Sequence, residues 1–366
     1  MSVVTKASVS DTEPAKTHGI VRTFGFAAIL TVIIWAAVGF IDGFQAVVTV
    51  AILTVLEVTF SFDNAVVNAK VLKTMSPFWQ TIFMTVGIFV AVFVVRFALP
   101  IIIVQLTSGL GFGDVVQTAL NNPELYAAEL TKAGPAIEAF GGSFLLMIAV
   151  SYFLDEEKDV HWLAPLERRL APLGKFDNIT VFVMLVLASV LFFTVDEAER
   201  TTVLVASVLG ITLHMGLDLF GAMFEKEDDE ATESMPVTDK VKVGMAAFAA
   251  FLYLEVLDAS FSFDGVIGAF AITTSVLLIM AGLGAGAIWV RSMTVHLVRA
   301  GTLAKYRFLE HGAHWAILFL GVVMVVKLFH TEPPEWATGS IGVVFIALAV
   351  VTSIIARKRE ESKSLA

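Results

Sequence analysis

The chain has 366 residues, of which 57% are hydrophobic and 16% are charged, and its mean hydropathy is +0.83. Soluble proteins of this length do not have such a composition, so the sequence predicts an integral membrane protein. The absence of cysteine excludes disulfides, thiolate metal sites and cysteine nucleophiles, and leaves oxygen and imidazole groups as metal ligands. The formal net charge of −10 says little about the fold.

Apolar stretches long enough to cross a bilayer alternate with polar segments along the chain. There are ten, near residues 20–40, 44–72, 80–104, 138–154, 178–194, 200–224, 241–273, 274–297, 312–330 and 339–356. Residues 1–19 are polar, lack a signal-peptide cleavage site and are predicted to form a disordered cytoplasmic N-terminus. The predicted fold class is an all-α integral membrane protein with about ten transmembrane helices.

A nonapeptide in the second apolar stretch recurs, with changes, in the seventh. The first copy is LEVTFSFDN at 56–64 and the second is LDASFSFDG at 257–265. Carboxylates inside a membrane are costly and are retained mostly where they bind or move something. Two carboxylates in each half of a duplicated membrane protein indicate one ion site between the repeats. These carboxylates are Glu57, Asp63, Asp258 and Asp264.

Lysine and arginine are distributed unevenly between the polar segments. With a cytoplasmic N-terminus, the outer segments hold only Lys132 and Arg200, while Arg96, Arg291 and Lys327 lie within spans and all the others fall inside. Because positive residues accumulate on the cytoplasmic side, both termini are predicted to be cytoplasmic. The membrane is predicted to be the inner membrane of a prokaryote.

The two motif copies lie on spans that cross the membrane in opposite directions, because five crossings separate them. The duplication is therefore predicted to be an inverted repeat, an architecture common in secondary transporters. Arg96 and Arg291 support this pairing, since each lies about two-thirds along the span that follows its motif. The predicted domains are a first repeat with extra spans at 20–224, an acidic cytoplasmic linker at 225–240, a second repeat at 241–356 and a cytoplasmic tail at 357–366.

Each motif copy is predicted to leave the helical conformation. On a continuous helix, residues six apart differ by roughly 240° around the axis, so Glu57 and Asp63 would not share a face. In an extended segment, alternate residues point the same way, which places the hydroxyls beside Asp63 and the phenylalanines opposite. We therefore expect both spans to unwind, so that oxygens line a cavity. Ser61, Ser262 and Asn64 are expected to assist the carboxylates.

An alternative is that the carboxylates pair with Arg96, Arg291 or Lys327 and only hold helices together. The acids of these spans, which include Glu255, outnumber those bases, and a surplus of buried negative charge requires protons or a bound cation. His214 and Asp218 are four residues apart on one helical face, which suits either a proton relay or a structural hydrogen bond. The small residues Gly282, Gly284 and Gly286 indicate close helix packing.

The same residues carry a resemblance to a known family. The segment EVTFSFDNAV at 57–66 resembles the first acidic motif of the TerC family, membrane proteins linked to tellurite resistance and manganese export. Weaker similarities are the span around Arg96, the stretch 140–146, the second motif, Arg291, and the segment 307–309 followed by Gly321 and Lys327. The extra spans and the long loops at 105–137 and 155–177 are most similar to a long branch of that family, the domain of unknown function 475.

This resemblance implies efflux of a divalent cation, Mn²⁺ above all, with Glu57, Asp63, Asn64, Asp258 and Asp264 as the metal-binding positions. The predicted function is proton-coupled export of that cation, with Arg96, Arg291, His214 and Asp218 in support and no resident cofactor. The alternatives are transport of Ca²⁺, Na⁺ or a small solute, or a membrane scaffold in metal or tellurite stress. No motif indicates an enzyme or a nucleic-acid-binding protein.

Overall fold

A computed structural model describes residues 18–155, 158, 160–176, 178–231, 241–331 and 333–364. The helices of the first half are α1 (His18–Asp42), α2 (Phe44–Phe60), α3 (Phe62–Lys73), α4 (Pro77–Phe89), a π-helix (Val90–Ala98), α5 (Leu99–Ser108), α6 (Phe112–Asn121), α7 (Pro123–Lys132) and α8 (Gly134–Leu154). The others are α9 (Ala164–Leu170), a 3₁₀-helix (Ala171–Lys175), α10 (Ile179–Thr194), α11 (Arg200–Ala231), α12 (Gly244–Ala269), α13 (Val276–Arg299), α14 (Thr302–Lys305), α15 (Leu309–Lys327) and α16 (Glu335–Ser364).

The described ranges contain helices and no β-strand, which confirms the predicted all-α fold class. Eight helices are long and apolar enough to cross a membrane, or up to ten if each of two bent helix pairs is one span. The bent pairs are α2 with α3, at 55°, and the segment Ala164–Lys175 with α10, at 103°. The protein is therefore a multi-pass membrane protein with about the predicted number of spans.

The first motif copy interrupts the helix, as predicted, but the chain bends there without extending, so the predicted extended segment is wrong. Helix α2 ends at Phe60 and α3 begins at Phe62, with Ser61 between them at φ −99° and ψ 18°. The backbone N–H of Ser61 still donates to the carbonyl oxygen of Glu57, and that of Ala65 to Ser61. Helical hydrogen bonding therefore continues through the bend, which satisfies backbone groups that the hydrocarbon cannot.

The second motif copy is fully helical, and here the predicted unwinding is also wrong. Helix α12 runs without a break from Gly244 to Ala269. The predicted alternation of hydroxyls and rings fails as well. The Ser260 hydroxyl donates to the carbonyl oxygen of Val256, one turn earlier, while Phe60 and Phe261 line a cavity together with motif carboxylates. Hydroxyls that bond the preceding turn fit a helix and need no extended backbone.

The two motif helices run in opposite directions, as predicted. Glu57 lies beside Gly265, because a Cβ atom at Gly265 would be 3.5 Å from Oε2 of Glu57. Further along the first copy, Asn64 contacts Asp258. Beyond α3, the N–H of Ser76 donates to the carbonyl oxygen of Lys242 across 3.1 Å. Residue numbers rise along one helix as they fall along the other, which is an antiparallel arrangement.

Glycines bring α13 against α2, as the sequence predicted. A Cβ atom at Gly282 would lie 2.4 Å from Cβ of Leu53, and one at Gly286 would lie 2.4 Å from Cβ of Glu57. At Gly284 the nearest contact would be a methyl group of Val92, at 3.0 Å. No larger residue fits the first two positions without displacing α2. This close approach fixes the depth of Glu57 against α13.

A π-helical segment presents Arg96 to the interior. It ends just before Pro100, which has no N–H to donate and whose ring would crowd the carbonyl group four residues earlier. A wider helical turn relieves that conflict. The Nη1 atom of Arg96 donates to the carbonyl oxygen of Ala91, at 2.8 Å. The π-helix and Pro100 thus explain why this arginine points into the bundle.

Two polar segments are more ordered than the sequence indicated. The stretch 105–137 contains α6 and α7, and the buried Tyr126 and Leu130 belong to one apolar cluster with Val266 and Ile279 of the second half. Burial raises the pKa of the Tyr126 hydroxyl. In the predicted linker 225–240, helix α11 continues to Ala231. Residues 232–240, and the predicted disordered residues 1–17, lie outside the described residues.

Candidate ion-binding site

Arg96 connects the two motif copies. Its Nη2 atom donates to Oε1 of Glu57, in the first copy, and its Nη1 atom lies 3.6 Å from Oδ2 of Asp258, in the second. The side chain of Arg96 is only 1% exposed. A buried guanidinium that is paired on two sides shares its single positive charge between both carboxylates and holds their helices at a fixed separation.

Arg291 makes the equivalent contacts from the second repeat, but with a different main partner. Its two terminal nitrogens donate to both oxygens of Glu255, at 2.9 and 2.8 Å, in a bidentate pair. Its Nη2 atom also lies 3.6 Å from Oδ2 of Asp258. Asp258 is therefore placed between two arginines. A Cβ atom at Gly87 of α4 would lie 2.4 Å from Nη1 of Arg291, so any residue larger than glycine would displace the Arg291 side chain.

Glu255 was not among the predicted site residues. It lies three residues before Asp258, hence on the same face of α12, and this spacing was the available signal. We define the arginine–carboxylate cluster as Arg96, Arg291, Glu57, Glu255 and Asp258. These acids form ion pairs with the arginines, as the alternative prediction had it. The cluster still has one more acidic than basic group, so the predicted surplus of acid remains.

Glu57 and Asp63 line one small cavity. Its volume is about 30 Å³, and Ser61 and Gly265 also form its wall. The Ser61 hydroxyl donates to Oε1 of Glu57 across 3.1 Å, and the backbone N–H of Asn64 donates to Oδ1 of Asp63 across 3.0 Å. A second cavity of about 80 Å³ shares Glu57, Phe60 and Gly265 with the first. The bend at Ser61 thus brings the two carboxylates of the first copy to one space.

Asp63 is close to the last helix of the chain. A Cβ atom at Gly342 of α16 would lie 3.0 Å from Oδ2 of Asp63. Asp63 is 4% exposed, and none of the ion pairs among the described residues involves it. A buried carboxylate without a basic partner is costly unless it is protonated or binds a cation. Among the predicted site residues, Asp63 therefore has the environment most suited to an ion ligand.

Other predicted residues occupy different environments. Asn64 donates from Nδ2 to Oδ1 of Asp258 across 2.9 Å, while its own Oδ1 and the Oγ of Ser262 are buried without a hydrogen-bond partner in the described part of the chain. The side chain of Asp264 lies outside the described residues. His214 and Asp218 are 3.1 Å apart, and Asp218 lines another cavity, together with Lys70.

Among the described residues, no group of three or more His, Asp or Glu side chains is arranged to hold a metal ion. Glu57 and Asp63 line one cavity. Asp258 does not line it and instead contacts Arg96 and accepts a hydrogen bond from Asn64. The predicted set of five ligands thus remains a prediction. Two of its members, Glu57 and Asp63, line the same cavity.

A second buried carboxylate, Glu167, was not singled out from the sequence. It is fully buried and accepts hydrogen bonds from the backbone N–H groups of Trp162 and Leu163 and from the indole of Trp315, at 3.1 to 3.3 Å. The Nζ atom of Lys158 lies 3.6 Å from Oε2 of Glu167 and 4.1 Å from the centre of the Tyr152 ring. Burial lowers the pKa of the Lys158 ammonium. Glu167 joins the segment before α9 to α15.

These features define a multi-pass helical membrane protein in which two antiparallel motif helices meet at a buried arginine–carboxylate cluster. The chain matches the family model described as "Protein of unknown function (DUF475)" over residues 62–360, and it belongs to that family. This confirms the predicted similarity to the domain of unknown function 475. No curated protein and no solved structure matches the chain.

Proposed function

We propose that this protein is a secondary transporter, and not an enzyme, that exports a divalent cation, Mn²⁺ above all, in exchange for protons. The observation that carries the proposal is the cavity shared by Glu57 and Asp63, deep within a membrane domain that has more buried acids than bases. The resemblance of the first motif to the TerC family supports manganese as the cargo.

The oxygens near this cavity fit a hard or borderline cation. The side chains that line it offer the carboxylates of Glu57 and Asp63 and the hydroxyl of Ser61, and the chain has no thiolate. Such oxygen sets suit Mn²⁺, Ca²⁺ and Mg²⁺ better than softer metals. In this proposal Asp264, the predicted ligand of the second copy, completes the set.

The arginines have a different role from the ligands. Arg96 neutralises Glu57 in part and Asp258 is shared between both arginines, so these side chains stay in place when the cation leaves. Asp63 has no such partner among the described ion pairs and is the group best placed to exchange a proton for the metal. Proton binding at Asp63 from one side of the membrane would release the cation there.

Both termini are proposed to lie in the cytoplasm, in a prokaryotic inner membrane. Segments that the charge distribution assigns to one side contact one another. Lys70 forms an ion pair with Glu310, Ser76 binds Lys242, and the Trp162 indole donates to Thr352 at 3.0 Å. The positive-inside bias supports this side as the cytoplasmic one.

A proteoliposome flux assay with Mn²⁺, Ca²⁺, Mg²⁺ and Na⁺ under an imposed pH gradient tests the proposal. We expect Mn²⁺ flux that follows the gradient and falls at least tenfold in Asp63→Asn, because the variant lacks the proton-exchanging carboxylate. Asp114→Asn, at an exposed position of α6, is the matched control and should transport normally. Flux that is absent for every cation, or equal in the two variants, contradicts the proposal.

A further inference from the structure

Three cavities follow one another from the protein surface to Asp63. The outermost, of about 220 Å³, is lined by Lys132 and His330, whose side chains are 69% and 63% exposed, so it opens at the surface. It shares Ile267 and Lys327 with the cavity of about 80 Å³. That cavity in turn shares Glu57 with the innermost one, of about 30 Å³. The space narrows towards the motif carboxylates.

Lys327 lies where the outer and middle cavities meet. Its Nζ atom is 3.7 Å from Oε1 of Glu138, and Glu138 lines the outer cavity. Glu57 lines the middle cavity, of which Lys327 also forms the wall. A flexible four-carbon stem lets a lysine ammonium move between two carboxylates on either side of it. A metal cation that travels between the surface and Glu57 must pass this ammonium.

We propose that the three cavities form the access path for the cation on the face opposite Lys70 and Lys242, and that Lys327 is a tethered cation that competes with the metal for Glu57. The inference rests on the proposed function for the identity of the ligand. In the structure the ammonium of Lys327 lies beside Glu138, from which its stem can extend along the wall of the middle cavity towards Glu57. Repulsion between ammonium and metal then weakens metal binding at Glu57 and favours release of the metal.

The path can be tested without knowledge of the ligand, because the wild-type chain has no cysteine. The test variants are Ile267→Cys in the shared wall and Leu320→Cys in the innermost cavity. Ala222→Cys lies in the cavity that contains Lys70, and Val186→Cys is 46% exposed on the apolar helix α10. Each is treated in sealed vesicles with a charged, membrane-impermeant thiol reagent applied to one side.

We expect Ile267→Cys and Leu320→Cys to react from the side opposite to Ala222→Cys, and Val186→Cys to react from neither side because lipid covers it. Reaction of the first two from the same side as Ala222→Cys, or from neither side, overturns the path. Saturating Mn²⁺ should slow the reaction of Leu320→Cys more than that of Ile267→Cys. Equal rates with and without Mn²⁺ contradict a metal-binding site at the inner end of the path.

The role of Lys327 is tested by Mn²⁺-dependent thermal stabilisation of Lys327→Gln. Loss of one positive charge roughly 10 Å from a divalent metal should tighten binding on the order of a hundredfold at an effective dielectric constant near 20. Lys132→Gln, which removes an exposed lysine of the same path, should leave affinity unchanged. Lys327→Arg keeps the charge and should bind like wild type, which separates the charge from folding defects.

The two hypotheses fail in different ways. Equal Mn²⁺ affinity of Lys327→Gln and Lys132→Gln overturns the competing role of Lys327 while the proposed function stands. A wild-type protein that neither binds nor transports any of the four cations overturns the proposed function and the role of Lys327 together. In that event the side from which Ile267→Cys and Leu320→Cys react still decides whether the path exists.

Discussion

The side-chain amide of Asn64 donates to Oδ1 of Asp258 across 2.9 Å, so the two motif copies touch directly. The position equivalent to Asn64 in the second copy is Gly265, which lies beside Glu57 and leaves open space there. Asp258 therefore accepts a hydrogen bond from the Asn64 amide. At the equivalent place beside Glu57 there is a cavity, because Gly265 has no side chain. This difference between the copies leaves open space beside Glu57, where the proposed ligands of the first copy lie.

The open space at Gly265 predicts a variant that weakens metal binding without harming the fold. A Cβ atom at Gly265 would be 3.5 Å from Oε2 of Glu57, an ordinary contact distance, and the residue is helical. Gly265→Ala should keep or raise stability by about 0.5–1 kcal/mol. It should also reduce Mn²⁺ affinity, because it occupies cavity space. Thermal melts in detergent with and without Mn²⁺ measure both effects.

Gly286→Ala is the matched control for this variant. Its Cβ atom would be 2.4 Å from Cβ of Glu57 and 3.0 Å from the carbonyl oxygen of Thr54, so α2 would have to move. Overpacking of this kind costs about 1–3 kcal/mol. Equal melting temperatures for Gly265→Ala and Gly286→Ala would show that the close approach of α13 to α2 is not what the structure describes.

The buried pairing of Arg96 predicts a large loss of stability in Arg96→Gln. This variant leaves Glu57 without its guanidinium partner and Asp258 with Arg291 alone, and removing one partner of a buried ion pair costs about 3–5 kcal/mol. Arg307→Gln breaks an exposed pair with Glu360 and should cost less than about 1 kcal/mol. Denaturant titration of both variants gives the comparison.

Neutralising Glu57 as well should recover part of this loss. The double variant Glu57→Gln/Arg96→Gln has no uncompensated charge at position 57. Its loss of stability should therefore be smaller than the sum of the two single losses, by about 1–3 kcal/mol. Additive single effects would mean that Arg96 stabilises the fold through Asp258 or Ala91 rather than through Glu57.

The surroundings of Glu167 predict a second sensitive position, away from the motif. Glu167→Ala removes the acceptor of two backbone N–H groups and one indole, and leaves Lys158 without the carboxylate at 3.6 Å. Unpaired buried donors and a buried charge together should cost about 3 kcal/mol or more. Glu129→Ala breaks an exposed pair with Lys132 and is the control, with an expected loss of about 0.5 kcal/mol. Thermal unfolding in detergent distinguishes the two.

The spans and the opposed directions of the motif copies could be predicted because they depend on long apolar runs and on charge counts, which are properties of the sequence. The local structure of the motif could not. The alternation from Thr59 to Asp63 fits a strand, but backbone groups in hydrocarbon need internal partners, and Thr59 bonds the carbonyl oxygen of Val55 on a helix instead.

Ion pairing of the buried acids with Arg96 and Arg291 could be predicted as an alternative, but not which acid each arginine binds. In the sequence Glu255 looks like any other acidic residue within a span. Only the packing of α12 against α13 shows that it accepts hydrogen bonds from both terminal nitrogens of Arg291. The corresponding residue of the first copy is Thr54, which bonds the carbonyl oxygen of Gly282. Since the two repeats differ here, alignment of the copies could not reveal the pair.

The protein surface offers a pH-dependent contact between His330 and Asp196. The His330 ring nitrogen and Oδ2 of Asp196 are 2.8 Å apart, and this hydrogen bond, with Glu199 nearby, raises the pKa of His330. A histidine whose folded pKa is raised stabilises the fold fully below its unfolded pKa of about 6.5, and this contribution is lost as pH rises through the folded pKa. The melting temperature of wild type should therefore exceed that of Asp196→Ala at pH 5.5, and the difference should vanish at pH 9. Asp114→Ala removes another exposed carboxylate and should show no such trend; a difference for Asp196→Ala that is constant from pH 5.5 to 9 contradicts the prediction.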